Sequence, residues 1–396
     1  MAREVLHRTV EPDGSRFADH YREENRIMLR PTKQLVSFST RRSFLRSGLA
    51  APAVIGASMA ANSISTAAFA EEDDDGPTVG DISILRFLAA LEILETDLWE
   101  QYNELGGLRD QEEPSGSGNK PYSDLLAQID GDMSQYIHDN TEDEFTHFNF
   151  INEYLKSKRA TPVNLERFRT LQGSIAQGSS GKKRLTNLMN LTVDASWWGR
   201  YRSRDANPDL GDTTFANPVP GLLKGKFPAI PRTNDDTTDP KHLLAIVNTA
   251  AFHFGTIEQG GSSLYPALAQ RVSSVEVLRI LLSIGPTETM HFQVWHDKVG
   301  NITKVTDPFN GLTFPDMATF QGNEDLQANL IMPEPTHFLS RSLPVCSIIR
   351  PTATRGAAAA AVRALTDDGL FIGQPVEFFT ELHELAAHAD AAQRRQ

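Results

Sequence analysis

The stretch Glu142-Asp143-Glu144-Phe145-Thr146-His147-Phe148-Asn149-Phe150-Ile151 decides how this chain is read. Within it Glu144 and His147 stand three residues apart, so a helix presents the carboxylate and the imidazole on one face. The spacing recurs at Glu288 and His291, in Gly285-Pro286-Thr287-Glu288-Thr289-Met290-His291-Phe292-Gln293-Val294-Trp295. Two further helical segments each carry a glutamate at an inward position: Glu92 in Leu91-Glu92-Ile93-Leu94-Glu95, and Glu258 in Gly255-Thr256-Ile257-Glu258-Gln259. In chain order the series is Glu, Glu-x-x-His, Glu, Glu-x-x-His. That is the ligand set of a carboxylate-bridged dimetal site inside a four-helix bundle.

The surrounding patterns support four helices. Leu85, Leu88, Glu92, Glu95, Trp99 and Tyr102 alternate three- and four-residue steps, with Asp81 as N-cap and Gly106-Gly107 as the stop. A second long helix is expected from about Ser123 to Lys158, disturbed at Gly131, with Glu144, His147, Ile151 and Tyr154 on its seam. A long connection follows, with a helical piece near Lys183–Tyr201 containing Trp197-Trp198, then a loop through Pro208, Pro218, Pro220, Pro228 and Pro231. Asp239-Pro240 is an N-cap and first-turn pair for the third helix, which carries Leu244, Ala251, Gly255, Glu258 and Tyr265. Ser273-x-x-Glu276 reads as a capping box for the fourth, whose seam holds Ile284, Glu288, His291 and Trp295. Gly285-Pro286 either restarts that helix or bends it one turn before Glu288. Beyond Gly300 come loops to about Pro351, an Ala-rich helix over Gly356–Leu365 and an amphipathic helix from Pro375 to about Gln393.

The residue types suit the chemistry. Carboxylates bridge two cations and weaken their repulsion, while imidazoles fill terminal positions. Four glutamates and two neutral histidines balance two divalent ions, whereas four unpaired carboxylates in an apolar bundle would be prohibitive. The spacing alone is weak: it also occurs at Glu4–His7 and at Glu334–His337 beside two prolines, both read as accidental. Its strength lies in the combination of two seam pairs, two preceding glutamate helices and the long crossover. Glu95 reads equally as an extra ligand, an acid behind the ligands, or an edge residue paired to arginine. Trp99, Tyr102, Tyr154, Tyr265 and Trp295 read as core packing, with a tyrosine hydrogen bond to the site as the lesser option. His253, five residues before Glu258, faces elsewhere, and Trp197-Trp198 reads as core.

The 396 residues carry a net charge of −13. Residues 1–70 hold 10 Lys/Arg and 6 Asp/Glu, leaving 28 minus 45, or −17, on the remainder. That balance argues against nucleic acid and anionic membranes and favours cations. The single cysteine, Cys346, excludes an intramolecular disulfide and a Cys-based metal site, and reads as a small buried residue. Thr40-Arg41-Arg42-Ser43-Phe44-Leu45-Arg46 precedes a mildly apolar run ending in Ala68-Phe69-Ala70, the pattern of a twin-arginine export signal. The expected organisation is a leader over 1–70, an acidic linker over 71–80, a bundle over 81–300 and an extension over 301–396. The expected destination is periplasmic or extracellular, with no integral membrane segment after signal removal.

The motifs at Leu91–Glu95, Glu144-x-x-His147, Gly255–Gln259 and Glu288-x-x-His291 resemble those of ferritin-like domain proteins, which include plant desiccation-related and fungal stress-response members. The resemblance spans about Asp81 to Gly300. It implies a ferritin-like four-helix bundle; with the long crossover between helices 2 and 3, which departs from the simplest members, and the helices beyond Gly300, the expected fold is all-α with a C-terminal helical extension. It further implies a non-haem iron site with Glu92, Glu144, His147, Glu258, Glu288 and His291 as ligands. Expected partners are metal ions with dioxygen or peroxide, and a homo-oligomer is left open. Two Fe ions serve iron oxidation or peroxide removal; two Mn ions serve a catalase-like reaction with the same ligands. A third class is a non-catalytic protective or structural protein.

Overall fold

The computed structural model of the protein describes residues 76–202, 206–319, 326, 328, 331–348 and 355–394. All of them fall in the unit Phe69–Gln396. The expected leader (1–70), with its export signal, and linker residues 71–75 lie outside the described residues.

The architecture is all-α. Helix α1 spans Val79–Gly106, α2 Lys120–Ile129, α3 Met133–Ser157, α4 Trp197–Arg202, α5 Pro240–Ala269 and α6 Val275–Val299. Two C-terminal helices follow, α7 over Ala357–Asp367 and α8 over Val376–Ala391. The bundle is two hairpins, α1 with α3 and α5 with α6. Side-chain pairs give the directions. Trp99 O accepts from Thr141 and Glu92 meets His147, so α1 and α3 are antiparallel. Glu92 bonds Tyr265 while Tyr102 bonds His253, so α1 and α5 are antiparallel. Asn140 bonds Trp295 and His147 meets Thr287, so α3 and α6 are antiparallel. Hence α3 and α5 point the same way. The chain between them must travel the length of the bundle, which explains the long crossover.

Local chemistry sets the helix ends, and here several sequence expectations are corrected. Thr78, not Asp81, is the N-cap of α1. Asp81 is the reciprocal member of that capping box, taking the Thr78 N–H at 2.8 Å while its own N–H goes to Thr78 Oγ1 at 3.1 Å. Asp81 is needed in this place because its carboxylate also takes the Ser273 and Ser274 N–H groups, at 2.8 and 3.2 Å, tying α1 to the α5–α6 turn. Those bonds shift the cap of α6 by one residue: Ser274 receives the Val277 N–H, and Glu276 pairs instead with Lys158 and Tyr154. Tyr154 therefore points to the edge rather than to the core seam.

The expected second helix is two. Asp130 is extended at the end of α2 and its carboxylate accepts the Asp132 N–H at 2.8 Å, an Asx turn around Gly131. At Gly285-Pro286, by contrast, α6 runs through unbroken. The carbonyl that Pro286 leaves unbonded belongs to Leu282, which is exposed, so water can satisfy it. Asp239 and Pro240 open α5 as the sequence indicates, with Asp239 capping the Lys241 and His242 N–H groups.

In the crossover, Lys183–Arg184 is not helical but strand β2, paired antiparallel with β1 (Leu171–Gln172). Only Trp197–Arg202 is helical in that piece. The buried Asp97 of α1 anchors this segment, accepting from Leu185 N, Thr186 N and Thr186 Oγ1 at 2.9, 2.8 and 2.6 Å. After α6, strands β3 (Val305–Thr306) and β4 (Thr313–Phe314) form a small hairpin. Cys346 is exposed, not buried, because it lies on a surface loop bridged to Thr336. Helix α8 packs on α1, and α7 packs on α8 and α5. Asp390 of α8 accepts the Ala358 and Ala359 N–H groups that open α7. No helix among the described residues is long and apolar enough to cross a membrane.

Asp368 closes α7 and is buried. Burial, with Asp194 and Asp367 nearby, pushes its carboxyl up to about 8. A raised carboxyl binds its proton more tightly in the folded chain, so this group's contribution to stability declines as pH rises from about 4 to about 8 and is level above that. Asp368→Asn is expected to gain stability over the wild type across that window, read by urea denaturation at about pH 5 and pH 8.5. Equal stability differences at both pH values would contradict this.

Candidate metal centre

At mid-bundle the four seams converge. Glu92 of α1, Glu144 of α3, Glu258 of α5 and Glu288 of α6 are all 2% exposed or less. His147 and His291 complete the cluster with side chains 10% exposed, so the imidazoles form its outer edge. The donor atoms fall into two groups: Glu92, Glu144, His147 and Glu288, and Glu144, Glu258, Glu288 and His291. Within each group all donor atoms lie within 4.8 Å of one another. Glu144 and Glu288 belong to both. Each group thus has one private glutamate, one private histidine and two shared carboxylates, one from each Glu-x-x-His helix.

Both imidazoles are oriented. His147 Nδ1 faces Glu92 Oε2 at 3.3 Å, Glu144 Oε2 at 3.2 Å and Glu288 Oε1 at 3.2 Å. Its Nε2 meets Thr287 Oγ1 at 3.2 Å; that hydroxyl already donates to Ile284 O, so Nε2 is the donor. His291 Nδ1 faces Glu144 Oε1 at 3.1 Å and Glu258 Oε2 at 3.3 Å, while Nε2 meets Asp143 Oδ2 at 3.0 Å. An outward acceptor on one ring nitrogen directs the other nitrogen's lone pair inward, the arrangement found behind metal-ligating histidines. Their rings are 6.3 Å apart.

The electrostatics show what the cluster lacks. Burial pushes Glu92 up to about 7 against the pull of His147. Burial and then Glu144 push Glu288 well above the carboxylate range, and burial raises Glu258. For Glu144 burial acts upward too, but bonds from His147 and His291 outweigh it and hold it low. Burial opposes charge on both histidines, yet Glu92 acting on His147 and Glu258 on His291 raise them far above the ordinary imidazole range. The metal-free cluster therefore holds protons. Glu288 Oε2 is buried with no hydrogen-bond partner, and Glu258 Oε2 and Glu288 Oε1 have only their imidazole contacts with His291 and His147. Buried oxygens in that state fit a bound cation, which would replace the protons.

Several supporting residues carry no motif signal. Asn140, four residues before Glu144, donates to Glu144 Oε1 at 2.8 Å and Glu258 Oε1 at 2.9 Å, and accepts from Trp295 Nε1 at 2.7 Å. Its i, i+4 relation to Glu144 is the one clue in the sequence. Tyr265 donates its hydroxyl to Glu92, realising the option of a tyrosine hydrogen bond to the site. Tyr102 and Trp99 pack in the core as expected. His253 bonds Tyr102 at 2.7 Å, away from the cluster. Glu95 belongs to neither donor group and pairs with no arginine among the described residues. Its Oε1 is buried without a partner, and burial followed by the four neighbouring glutamates, Glu144 first, raises its carboxyl strongly.

Glycines admit the cluster. A Cβ on Gly261 would lie 2.4 Å from Glu288 Oε2, and one on Gly285 would lie 2.8 Å from Tyr265 Cβ. A Cβ on the adjacent Gly260 would meet nothing within 4 Å. Gly260→Ala is expected to stabilise the metal-free protein by up to about 1 kcal/mol through helix propensity, whereas Gly261→Ala loses that gain by displacing the Glu288 carboxylate. Chemical denaturation of the two variants compares them directly. Equal stabilisation would mean that Gly261 does not seat Glu288.

The chain matches no curated protein and no solved structure. The ferritin-like domain family model does match it, over residues 80–301. With more than half of its length so matched, and with its bundle and buried carboxylate–histidine cluster compatible with a dimetal site, the chain belongs to the ferritin-like domain family.

Proposed function

We propose that Glu92, Glu144, His147, Glu258, Glu288 and His291 hold two iron ions, and that the protein oxidises Fe(II) with dioxygen or peroxide in stress protection. The observation that carries this reading is the pair of overlapping donor groups sharing Glu144 and Glu288. Shared carboxylates are what two adjacent cations require, and the private His147 and His291 supply neutral nitrogen to each side. Two ferrous ions held there would supply together the two electrons that, with two protons, reduce one hydrogen peroxide to two waters.

The chain's own residues perform definite tasks around that chemistry. Asp143 and Thr287 hold the outer imidazole nitrogens, keeping His291 and His147 aimed inward. Asn140 fixes one oxygen each of Glu144 and Glu258. The Tyr265 hydroxyl holds one oxygen of Glu92 and leaves Glu92 Oε2 facing His147. Binding divalent ions would release the protons that the carboxylate–imidazole cluster otherwise stores, so metal uptake is expected to strengthen as pH rises. Trp99, Phe254 and Trp295 stack against one another within the apolar bundle, part of the core around the cluster. The paired Arg41-Arg42 and the Ala68-Phe69-Ala70 site support export of the chain to the periplasm or beyond.

Glu144→Ala combined with Glu288→Ala is expected to reduce metal content from about two ions per chain to none. Plasma mass spectrometry on the exported protein, whose N-terminus is expected at Glu71, measures this beside a stopped-flow oxygen reaction of the Fe(II)-loaded wild type. Full metal uptake by the double variant would remove the ligand assignment. Two manganese ions with oxygen evolution from peroxide would replace the iron reading.

A further inference from the structure

A cavity of about 600 Å³ lies between α1, α5, α7 and the crossover. That volume suits a small organic molecule. Its wall is largely aliphatic: Leu91, Leu94 and Leu98 from α1, Ile257 and Leu264 from α5, and alanines of α7. Its lining also includes Glu95 and Gly261. Both neighbour the carboxylate cluster. Glu95 stands one turn beyond Glu92 with a buried, unpartnered Oε1, and Gly261 lies so close to Glu288 that a Cβ there would reach its carboxylate. Gly261 thus stands both on the cavity wall and against the Glu288 carboxylate. Elsewhere on the wall stand Asp194, Asp367, Asp368 and Arg363, with Arg200 already engaged by Asp194.

We propose that this cavity is the substrate pocket of the centre, taking one neutral, mainly apolar organic molecule whose inner end abuts Glu95 and Gly261 beside Glu288. The proposal rests on the dimetal reading for the word substrate; the binding itself does not. Charge selects the ligand class. The wall sets Arg200 and Arg363 against Asp194, Asp367 and the buried Asp368, so it offers no net positive charge to an anionic head group, and a molecule bearing one hydroxyl or carbonyl avoids the cost of burying an unmatched charge. The aliphatic wall supplies the affinity. The pocket also gives α7 a function, since its alanines leave the space that larger side chains would fill.

The test uses 1-octanol as the probe, titrated calorimetrically into the metal-free full chain and into the metal-loaded protein, with octanoate as the charged control. Expected is saturable binding of one octanol per chain, with octanoate at least about tenfold weaker. Gly260→Phe fills the cavity from α5, where a Cβ meets nothing within 4 Å, and Ala361→Trp fills it from α7. Each is expected to weaken octanol binding by about tenfold or more while leaving metal content unchanged. Undiminished binding by both folded variants would place the probe elsewhere and overturn the pocket. No saturable binding by a chain that takes up metal would overturn it and leave the centre intact. Octanoate binding as tightly as octanol would overturn the neutral ligand class. Octanol binding by a chain that takes up no metal would overturn the assignment as a substrate pocket through failure of the centre itself.

Discussion

Four carboxylates and two imidazoles are withdrawn from water at the middle of one bundle, and the rest of the structure accommodates that constraint. Burying a single unpaired carboxylate costs several kcal/mol. Here Glu144 and Glu288 are fully buried and lie within reach of Glu92, Glu258 and both histidines. Stored protons and imidazole contacts offset part of the cost in the metal-free chain. The unbonded Oε2 of Glu288 marks the part that is not offset. A polar core so expensive is held in place by geometry: Asn140 fixes Glu144 and Glu258, and Asp143, Thr287 and Tyr265 each fix one further cluster member from behind. Two glycines let α5 and α6 approach closely enough for the carboxylates to meet.

The scaffold has matching asymmetry. Because α3 and α5 run in the same direction, the chain must cross the bundle between them, and the crossover is fastened to α1 through Asp97. Fastening it there also positions Trp197 against Gly255, where a Cβ would lie 2.6 Å from the indole. The C-terminal helices then close the same side, α8 on α1 and α7 on α5. The aliphatic cavity arises at this junction, with Gly261, the close neighbour of Glu288, on its wall. Site and cavity are thus two consequences of one arrangement of α5.

The sequence makes the bundle and its cluster legible because both rest on helical periodicity. Glu92, Glu144, Glu258 and Glu288 interrupt apolar seams, and two Glu-x-x-His pairs at seam positions leave little freedom for where those side chains meet. What is not legible depends on contacts distant in sequence. Asp81 looks like a cap, yet it serves as the third residue of Thr78's box because it must also reach Ser273 and Ser274. Lys183–Arg184 sits in a helix-like stretch, but pairing with Leu171–Gln172 and anchoring to Asp97 make it strand. Gly285-Pro286 looks like a break, and only the exposed position of Leu282 shows why the helix continues. Asn140 and Asp143 carry no pattern of their own; their roles appear once α3 faces α5 and α6. The cavity has no signature at all, since its walls come from four segments spread from Leu91 to Leu370.

The central claim is that the two overlapping donor groups are two metal positions. The most direct measurement is anomalous diffraction at the iron edge from crystals grown with Fe(II). Two peaks are predicted, one among Glu92, His147, Glu144 and Glu288 and the other among Glu258, His291, Glu144 and Glu288, at a separation of about 3.5–4 Å. No peak within the cluster, or a single peak elsewhere on the chain, would contradict it.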